Sequence, residues 1–393
     1  MKQKIQGLAA EIFNEVVGFR QHIHANPELS FHEYETSKFV KDKLASWGIT
    51  YQEMANTGVV GLITGGKPSD QVIALRADMD ALPITEANDK PYKSKNVGVM
   101  HACGHDVHTS SLLGTAFILN QLKDEFAGTI KLVFQPAEEL LPGGASIMIK
   151  EGVLENPKPN AMVGQHVLPM MDSGKVGFRS GIYMASTDEL YVTVTGKGGH
   201  GAQPQQNIDP VLITAHIIVA LQQIVSRNAD PRLPSVLSFG KVNAHGATNI
   251  IPNEVKLEGT FRTLNEDWRN EAHRLMKKMA EGIAESMGGS CHFDIHRGYP
   301  FLINEEKLTN NAKACAEEYL GKENVVDLDI WMAAEDFAYY SQVTDACFYR
   351  LGTGNVEKDT KHSVHTPNFD IDEDALKTST GLMAYIALKQ LGN

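Results

Sequence analysis

The sequence contains little cysteine and no long apolar run. Four of its 393 residues are cysteines, too far apart to form a disulfide framework: Cys103, Cys291, Cys315 and Cys347. The chain begins without the apolar block and small-residue cleavage site of a secretory signal. The longest apolar stretch, residues 211–221, falls short of the roughly 18 residues that suggest a membrane span. These features predict a soluble cytoplasmic protein that does not bind a membrane.

The sequence also lacks a cluster of lysine and arginine. It has 36 basic and 48 acidic side chains, which gives a formal net charge of −12 with neutral histidine. This balance argues against binding to nucleic acid, and an anionic substrate would have to meet locally placed cations. At roughly 150 residues per domain, the length predicts two domains or one large domain with an insertion.

Hydrophobic periodicity predicts an α/β fold. Two N-terminal helices are expected, one ending near Pro27 and one over residues 36–47. Short apolar or β-rich runs follow at residues 59–64, 72–77, 129–134 and 161–166. Their alternation with helical and loop segments predicts a mostly parallel mixed sheet covered by helices. Such sheets bind ligands at the carboxyl ends of strands, where we expect Asp78, Asp80, Glu138, Glu139 and His166.

The pattern changes near residue 186. Strands are predicted at residues 189–195, 235–242, 254–263 and 291–296, and helices at 209–227 and 266–287. Two strands joined by one helix, then repeated, predict an α+β domain of the split β-α-β type. Helical and buried-strand patterns resume at 305–320 and 346–352, before a last helix at 373–391. We therefore predict a catalytic domain in two segments, 1–185 and 298–393, with an inserted domain at 186–297.

The densest group of possible metal ligands is the segment HACGHDVH at residues 101–108. Cysteine and histidine are the usual ligands of zinc and related divalent ions. Gly104 allows a tight turn, so that Cys103 and His105 can bind one ion together. The alternative is structural, with Asp106 capping the following helix and Cys103 acting only as a small buried hydrophobic residue.

Two adjacent carboxylates follow an apolar strand, in the segment QPAEE at residues 135–139. Glu138 and Glu139 repel each other unless a cation or a shared proton offsets them. A metal would resolve this conflict if one carboxylate bound the ion. The other would then accept a proton from a water whose pKa the ion lowers to about 7. The alternative is a solvated pair at the start of a helix.

Further polar residues extend this pattern. His166 is predicted to end its strand, and His365 lies in a short segment before a proline. Asp78 and Asp80 share one face of an extended segment, and Asp80 could accept the second ring N–H of a histidine ligand. His200 lies in a glycine-rich turn, from which it could stabilise an oxyanion. A single histidine or aspartate in such a position more often has a structural role. Several of them at one edge of the sheet favour a catalytic or metal site.

Three motifs carry a family resemblance: HACGHD at 101–106, QPAEE at 135–139 and RADMDALP at 76–83. Supporting motifs lie at 20–33, 196–200, 249–252, 259–262 and 335–337. Over nearly its whole length the chain resembles the metal-dependent aminoacylase and carboxypeptidase superfamily. Specifically, it resembles the amidohydrolase branch of this superfamily, which contains hippurate hydrolases, auxin-conjugate hydrolases and N-acetyl-diaminopimelate deacetylases. The resemblance implies a zinc-exopeptidase-like catalytic domain with two divalent metal ions, and a lid domain that forms a homodimer.

The resemblance also implies roles for particular residues. The implied metal ligands are Cys103, His105, Glu139, His166 and His365. Glu138 matches the general base, Asp80 an orienting acid, and His200 a lid histidine that in related dimers can enter the partner subunit's site. Asn249 and Arg262 match positions that hold the substrate carboxylate, for which an arginine fork is suited. The ligand types suit manganese, zinc, nickel or cobalt.

The chain departs from the family pattern at two positions. Gln205 follows a proline where relatives often have histidine. The last ligand motif reads VHTP at 364–367, where leucine, histidine, serine or asparagine, and proline are usual. The second departure leaves His362 as a rival ligand, although His365 has the matching spacing to the proline.

These inferences predict an enzyme that hydrolyses the amide bond of small N-acyl amino acids into a carboxylic acid and a free amino acid. A metal-dependent carboxypeptidase or dipeptidase is the alternative activity. A rival mechanism makes Cys103 a nucleophile and His105 its base. A non-catalytic metal-binding or carrier protein is the alternative from another class. The presence of Glu138 beside Glu139 argues against that alternative, since a structural site needs no second carboxylate.

Overall fold

The computed structural model describes residues 1–392. Their contacts define two compact units. The first unit comprises Met1–Tyr183, Ile303–Ile330 and the residues from Asp336 onward, and the second comprises Met184–Leu302 and Trp331–Glu335. The division into segments 1–185, 186–297 and 298–393 stays a prediction of domain organisation.

The helices and strands alternate along the chain largely as the periodicity predicts. The α-helices are α1 (Lys2–Ala25), α2 (Tyr34–Ser46), α3 (His105–Gln121), α4 (Gly144–Lys150), α5 (Pro210–Gln223), α6 (Glu266–Ser286), α7 (Glu306–Leu320), α8 (Ala338–Ser341) and α9 (Ala375–Gln390). The strands are β1 (Thr50–Met54), β2 (Gly58–Thr64), β3 (Lys67–Asp78), β4 (Ala127–Gln135), β5 (Ala161–Asp172), β6 (Val176–Phe178), β7 (Gly181–Met184), β8 (Asp188–Thr195), β9 (Gly199–His200), β10 (Ser235–Ala244), β11 (Ile250–Ile251), β12 (Glu254–Thr263), β13 (Ser290–Arg297), β14 (Leu302–Asn304), β15 (Val325–Asp327) and β16 (Asp345–Gly354).

The first unit is built on an eight-stranded sheet in the order β1-β2-β4-β3-β5-β16-β6-β15. Its central strands β4, β3, β5 and β16 pair in parallel, whereas β1 with β2 and β2 with β4 are antiparallel. Helices α1, α3 and α9 contact one another, and their buried residues join those of the strands in the main core. The predicted mostly parallel mixed sheet covered by helices is confirmed. The sequence did not indicate β1 because its residues are largely exposed and show no alternation.

The second unit contains a four-stranded antiparallel sheet in the order β10-β12-β8-β13. Helices α5 and α6 contact each other, and both contribute buried residues to a second core with these strands. Each half of the unit follows the order strand, helix, strand, as expected for a split β-α-β arrangement. The role of this unit as a lid stays a prediction.

The helix predicted at 209–227 consists of α5 and a π-helical turn, Ile224–Asn228, that continues it. The combined segment Pro210–Asn228 is long and apolar enough, by length and composition alone, to cross a membrane. Core helices of globular proteins can meet the same criterion. The residues of this segment that are buried in the second core recur at helical spacing: Ile213, Ile217, Leu221 and Ile224.

Candidate functional site

A left-handed turn at Gly104 connects the first residues of the histidine-rich segment 101–108 to helix α3. Gly104 has φ +83° and directly precedes α3, whose first residue is His105. A Cβ atom at Gly104 would lie 2.6 Å from a Val167 methyl carbon, so both the turn and the packing require glycine. Asp106 does not cap the helix, because its Oδ2 instead accepts a hydrogen bond of 2.8 Å from Nε of Arg20. The capping alternative is therefore wrong.

The side chains matched to metal ligands converge in the first unit. Sγ of Cys103 lies 3.4 Å from Nε2 of His166 and 3.3 Å from Nε2 of His365. Nε2 of His365 also lies 3.1 Å from Oε1 of Glu139. Cys103 belongs to two groups of possible metal ligands. One group is Cys103, His105 and His166, and the other is Cys103, Glu139 and His365. In each group the donor atoms lie within 4.8 Å of one another. Donors this close repel one another unless a proton or a cation lies among them.

Hydrogen bonds determine which ring nitrogens can bind a metal. Nδ1 of His105 lies 3.1 Å from Oδ1 of Asp80, and Nδ1 of His166 lies 2.9 Å from the carbonyl oxygen of Val167. Each Nδ1 therefore donates its hydrogen to an oxygen, which directs Nε2 toward a metal. Although burial opposes protonation, Asp78 and Asp80 raise the pKa of His105 to about 10, so a metal bound at Nε2 would displace a proton. Nε2 of His105 is buried and has no hydrogen-bond partner within residues 1–392. This orphaned atom fits a divalent ion bound at Nε2.

The surroundings shift the pKa values of the donors in opposite directions. Burial lowers the pKa of His166 well below its ordinary value, so its imidazole is neutral. Burial and the carboxylates of Glu139 and Glu138 raise the pKa of the Cys103 thiol well above its ordinary value. Without a cation Cys103 stays protonated, which argues against the alternative that it is a catalytic nucleophile.

Asp80 connects one histidine to the carboxylate pair. Its Oδ1 accepts the backbone N–H of Glu138 and its Oδ2 that of Glu139, both at 3.0 Å. The hydroxyl of Ser30 donates to Oδ2 at 2.6 Å. Although burial opposes ionisation, the hydrogen bonds from His105, Ser30 and the Glu139 backbone lower the pKa of Asp80 below its ordinary value. Asp80 therefore stays charged and holds His105 and both glutamates in one arrangement.

Glu33 supports the same turn, although sequence reasoning gave it no role. Its carboxylate accepts the backbone N–H of Ala137 at 2.8 Å and the hydroxyl of Thr57 at 2.7 Å. Ala137 has φ +51°, a conformation that is strained for a residue with a Cβ atom. Burial and the charge of Asp80 raise the pKa of Glu33 to about 7. The one signal in the sequence was its place in the supporting motif at 20–33.

The structure corrects the predicted position of His166. This residue lies inside β5, which continues to Asp172, so the prediction that it ends its strand was wrong. Gln165 and His166 only interrupt the apolar residues, which resume at Val167, and the pairing with β16 continues past His166. His108, also unassigned by sequence, accepts the N–H of Val167 on Nε2 at 3.0 Å, and its Nδ1 lies 2.6 Å from Oδ1 of Asp78. Asp78 and His108 therefore anchor the backbone beside His166.

His365, and not its rival His362, reaches the donor cluster. The backbone of His365 has φ +61°, and its N–H donates to the carbonyl oxygen of Ala102 at 2.8 Å. Nε2 of His362 lies 3.4 Å from Oδ1 of Asp359, and His362 belongs to none of the donor groups in the described part of the chain.

The other residues matched to the site belong to the second unit. His200 on β9 pairs with Ile250 on β11, and its Nδ1 accepts the N–H of Ala202 at 3.0 Å. Asn249 precedes this pair and is exposed. Arg262 lies on β12 and is half-buried, which lowers the pKa of its guanidinium below the ordinary value.

Replacing Gly144 with alanine is expected to disturb the turn that carries Glu138. A Cβ atom at position 144 would lie 1.8 Å from the carbonyl oxygen of Pro136, which belongs to the backbone and cannot rotate away. The N–H of Gly144 also donates to the carbonyl oxygen of Ala137 at 2.9 Å. We expect the free energy of unfolding to fall by about 1–3 kcal/mol and turnover of the predicted substrates to fall about 100-fold.

Gly282→Ala is the matched control for this change. Gly282 lies within α6, and a Cβ atom there would meet nothing within 4 Å. We expect that variant to gain up to about 1 kcal/mol of stability and to keep its turnover, because alanine favours the helix. Thermal unfolding and turnover measure both effects. Unchanged turnover in the Gly144→Ala protein would show that the turn does not control Glu138.

Comparison with known proteins relates this arrangement to a family. The sequence pattern of Peptidase family M20/M25/M40 matches residues 74–389. The chain is 43% identical over 307 residues to the N-acyl-L-amino acid amidohydrolase of Geobacillus stearothermophilus, covering 78% of this chain and 82% of that protein. It is 38% identical over 391 residues to thermostable carboxypeptidase 2 of Saccharolobus solfataricus, covering 98% of each.

A solved structure gives the same result. It is a Bacillus subtilis protein described as a dinuclear metal binding peptidase from the M20 family, and it matches with a TM-score of 0.84 at 34% identity. The match covers 98% of this chain and 99% of that one. The family pattern spans most of the chain, and the predicted resemblance is confirmed. The chain belongs to peptidase family M20/M25/M40.

Proposed function

We propose that this chain is a metal-dependent amidohydrolase that cleaves N-acyl amino acids into a carboxylic acid and a free amino acid. The observation that carries the proposal is the position of Glu138, whose carboxylate oxygen lies within 4.8 Å of donor atoms of His105 and Glu139. A carboxylate beside a metal centre is suited to act as a general base. The similarity to a protein named N-acyl-L-amino acid amidohydrolase supports this substrate class.

Two divalent ions would be held by Cys103, His105, Glu139, His166 and His365. When bound, they would polarise the amide carbonyl and make water more acidic. Thiolate, imidazole and carboxylate donors suit zinc, nickel, cobalt or manganese.

The chain's own residues would carry the proton transfers. Glu138 takes a proton from the attacking water and returns it to the leaving amine, so that one carboxylate serves as base and then as acid. Asp80 keeps this carboxylate in position through the backbone N–H groups of Glu138 and Glu139. The low exposure of Glu138, at 6%, limits competing contact with bulk water.

Residues of the second unit would bind the substrate's polar groups. Nδ1 of His200 accepts a hydrogen bond, which leaves Nε2 protonated and suited to donate to an oxyanion. Arg262 donates to the hydroxyl of Thr260 at 3.3 Å and, within residues 1–392, forms no ion pair. A half-buried arginine without a paired carboxylate is suited to a substrate carboxylate, and Asn249 offers an exposed amide beside His200.

We also propose a homodimer formed through the second unit, and a cytoplasmic location. Helix α5 exposes the apolar residues Val211, Leu212 and Val219, the last of these 74% exposed. Strand β10 is an edge of its sheet, which is a suitable place for pairing with a second copy. The unpaired cysteines support a reducing compartment. Light scattering tests the dimer, and a monomeric mass at micromolar concentration would refute it.

A substrate panel tests the proposed activity. The metal-stripped protein is supplied in turn with zinc, manganese, nickel and cobalt, and assayed with hippurate, N-acetyl amino acids, dipeptides and longer peptides. We expect turnover of at least one N-acyl amino acid at more than ten times the rate of any peptide. Faster release of C-terminal residues from peptides would favour a carboxypeptidase or dipeptidase. Inactivity across the panel with every metal would favour the carrier alternative.

A further inference from the structure

One buried arginine connects the two chain segments that carry His105 and His365. The side chain of Arg20, on α1, has 0% exposure. Its Nε donates to Oδ2 of Asp106, and its Nη2 donates to Oδ1 of Asp370, each at 2.8 Å. Asp106 directly follows His105 in α3, and Asp370 lies in the loop that contains His365. A single guanidinium therefore spans two segments that are far apart in sequence.

Neighbouring side chains orient both carboxylates toward Arg20. The hydroxyl of Tyr92 donates to Oδ2 of Asp370 at 3.0 Å, and the ring of Tyr92 lies 4.7 Å from the guanidinium carbon. Nδ1 of His24 lies 2.8 Å from Oδ2 of Asp106. These contacts leave little freedom for either carboxylate, so the guanidinium restrains the separation of the two segments together with the hydrogen bond from the N–H of His365 to the carbonyl oxygen of Ala102.

The loop that carries His365, which the structure describes throughout, has no regular secondary structure and is held by individual hydrogen bonds and ion pairs. Between Gly354 and Ala375 the described chain contains no helix or strand. The N–H of Ala87 donates to the carbonyl oxygen of Pro367 at 2.9 Å, and the amide of Asn88 donates to that of Phe369 at 2.8 Å. Lys90 also pairs with Asp370 and Lys361 with Asp172, but both lysines are partly exposed, whereas the pair of Arg20 with Asp370 is buried. Buried charged hydrogen bonds are stronger than neutral ones.

We propose that Arg20 is a positioning residue that sets the separation of His105 and His365 and thereby the metal affinity of the centre. The inference rests on the ligand set in the proposed function. The planar guanidinium offers several N–H donors in fixed directions and can bind two carboxylates at once. A lysine ammonium at the same place keeps the positive charge but lacks this fixed geometry. Lysine at position 20 should therefore keep the fold and weaken the metal centre.

The alternative is that Arg20 only stabilises the fold. Arg269 provides a matched control, because it is a second buried arginine with a forked pairing, donating to both carboxylate oxygens of Asp188 in the second unit. A purely structural role predicts that Arg20→Lys and Arg269→Lys lower the unfolding temperature and leave metal binding unchanged. A positioning role predicts that metal binding changes only in the Arg20 variant.

The experiment measures metal affinity and ligand geometry without substrate. Wild type and the variants Arg20→Lys, Arg269→Lys and Cys103→Ser are loaded with cobalt(II), titrated with a competing chelator, and compared by their visible spectra. We expect Arg20→Lys to bind cobalt about 10–100-fold more weakly and to show a shifted d–d band. We expect Arg269→Lys to stay within twofold of wild type. Wild-type affinity and spectrum in Arg20→Lys would overturn the proposal.

Two further variants keep the test decisive. If Arg20→Lys does not fold, Tyr92→Phe removes only the hydroxyl that donates to Asp370, and we expect a severalfold loss of cobalt affinity with the fold retained. Unchanged affinity in that variant would then refute the positioning role. Cys103→Ser identifies a different failure. If it also keeps wild-type affinity and its thiolate-to-cobalt band, the proposed ligand set is wrong, whatever Arg20 does.

Discussion

Replacing Glu138 with glutamine is expected to reduce turnover by about two to four orders of magnitude while the protein keeps its fold and its metal ions. Glutamine has nearly the same size, and its side-chain oxygen can still accept the N–H of Asp336, which lies 3.3 Å from Oε1. It cannot take up a proton from water at neutral pH. The measurements are kcat on the best substrate of the panel and the metal content by elemental analysis.

Glu139→Gln is the matched control, because it makes the same chemical change in the neighbouring residue. Oε1 of Glu139 lies 3.1 Å from Nε2 of His365 and belongs to a donor group with Cys103. We therefore expect Glu139→Gln to lose metal as well as turnover. An active, metal-loaded Glu138→Gln protein would refute the role of Glu138 as base. A metal-free Glu138→Gln protein would show that Glu138 is itself a ligand.

Removing the ions with a chelator is expected to reduce turnover to the uncatalysed background and to make the protein easier to unfold. The donor atoms of Cys103, Glu139, His166 and His365 come from separate chain segments and lie close together, so bound ions would link these segments. At an ion concentration 100 times the dissociation constant, binding adds about 2.7 kcal/mol to the free energy of unfolding. Turnover and the thermal unfolding midpoint, measured before chelation, after it and after metal is restored, test this expectation.

Alkylation of cysteine distinguishes the metal mechanism from the alternative in which Cys103 is the nucleophile. Cys103 is only 6% exposed, and in the metal-loaded protein its sulfur would be bound to an ion. The metal-loaded protein should therefore react slowly with iodoacetamide and keep its turnover. Turnover that survives exhaustive chelation and disappears on alkylation would contradict the metal mechanism and favour Cys103 as a nucleophile.

Most of the fold could be predicted because hydrophobic periodicity is local. The strand predicted at 254–263 coincides with β12, and the helix predicted at 266–287 ends one residue beyond α6. Errors occurred where periodicity carries no information. The exposed strand β1 has no apolar face, and the end of β5 was predicted too early, at His166, where Gln165 and His166 interrupt the apolar residues.

The candidate site could be predicted only in part. The motifs identified which residue types belong together. In the structure Cys103 contacts both His166 and His365, and His365 contacts Glu139. The catalytic and ligand roles of these residues stay predictions. The motifs could not indicate that Glu33 supports the turn before Glu138, because a hydrogen bond to a backbone N–H leaves no mark on the residue that donates it.

The sequence by itself determined the types of helices and strands, their order and the chemical set of donors. The tertiary structure decided which donors meet, which ring nitrogens remain available for metal, and which residues hold the ligand segments in place. Arg20 and Asp370 are separated by 350 positions and still form a buried ion pair. Local side-chain patterns restrict only the nearby backbone, whereas such distant pairs form only when the packed core brings their segments together.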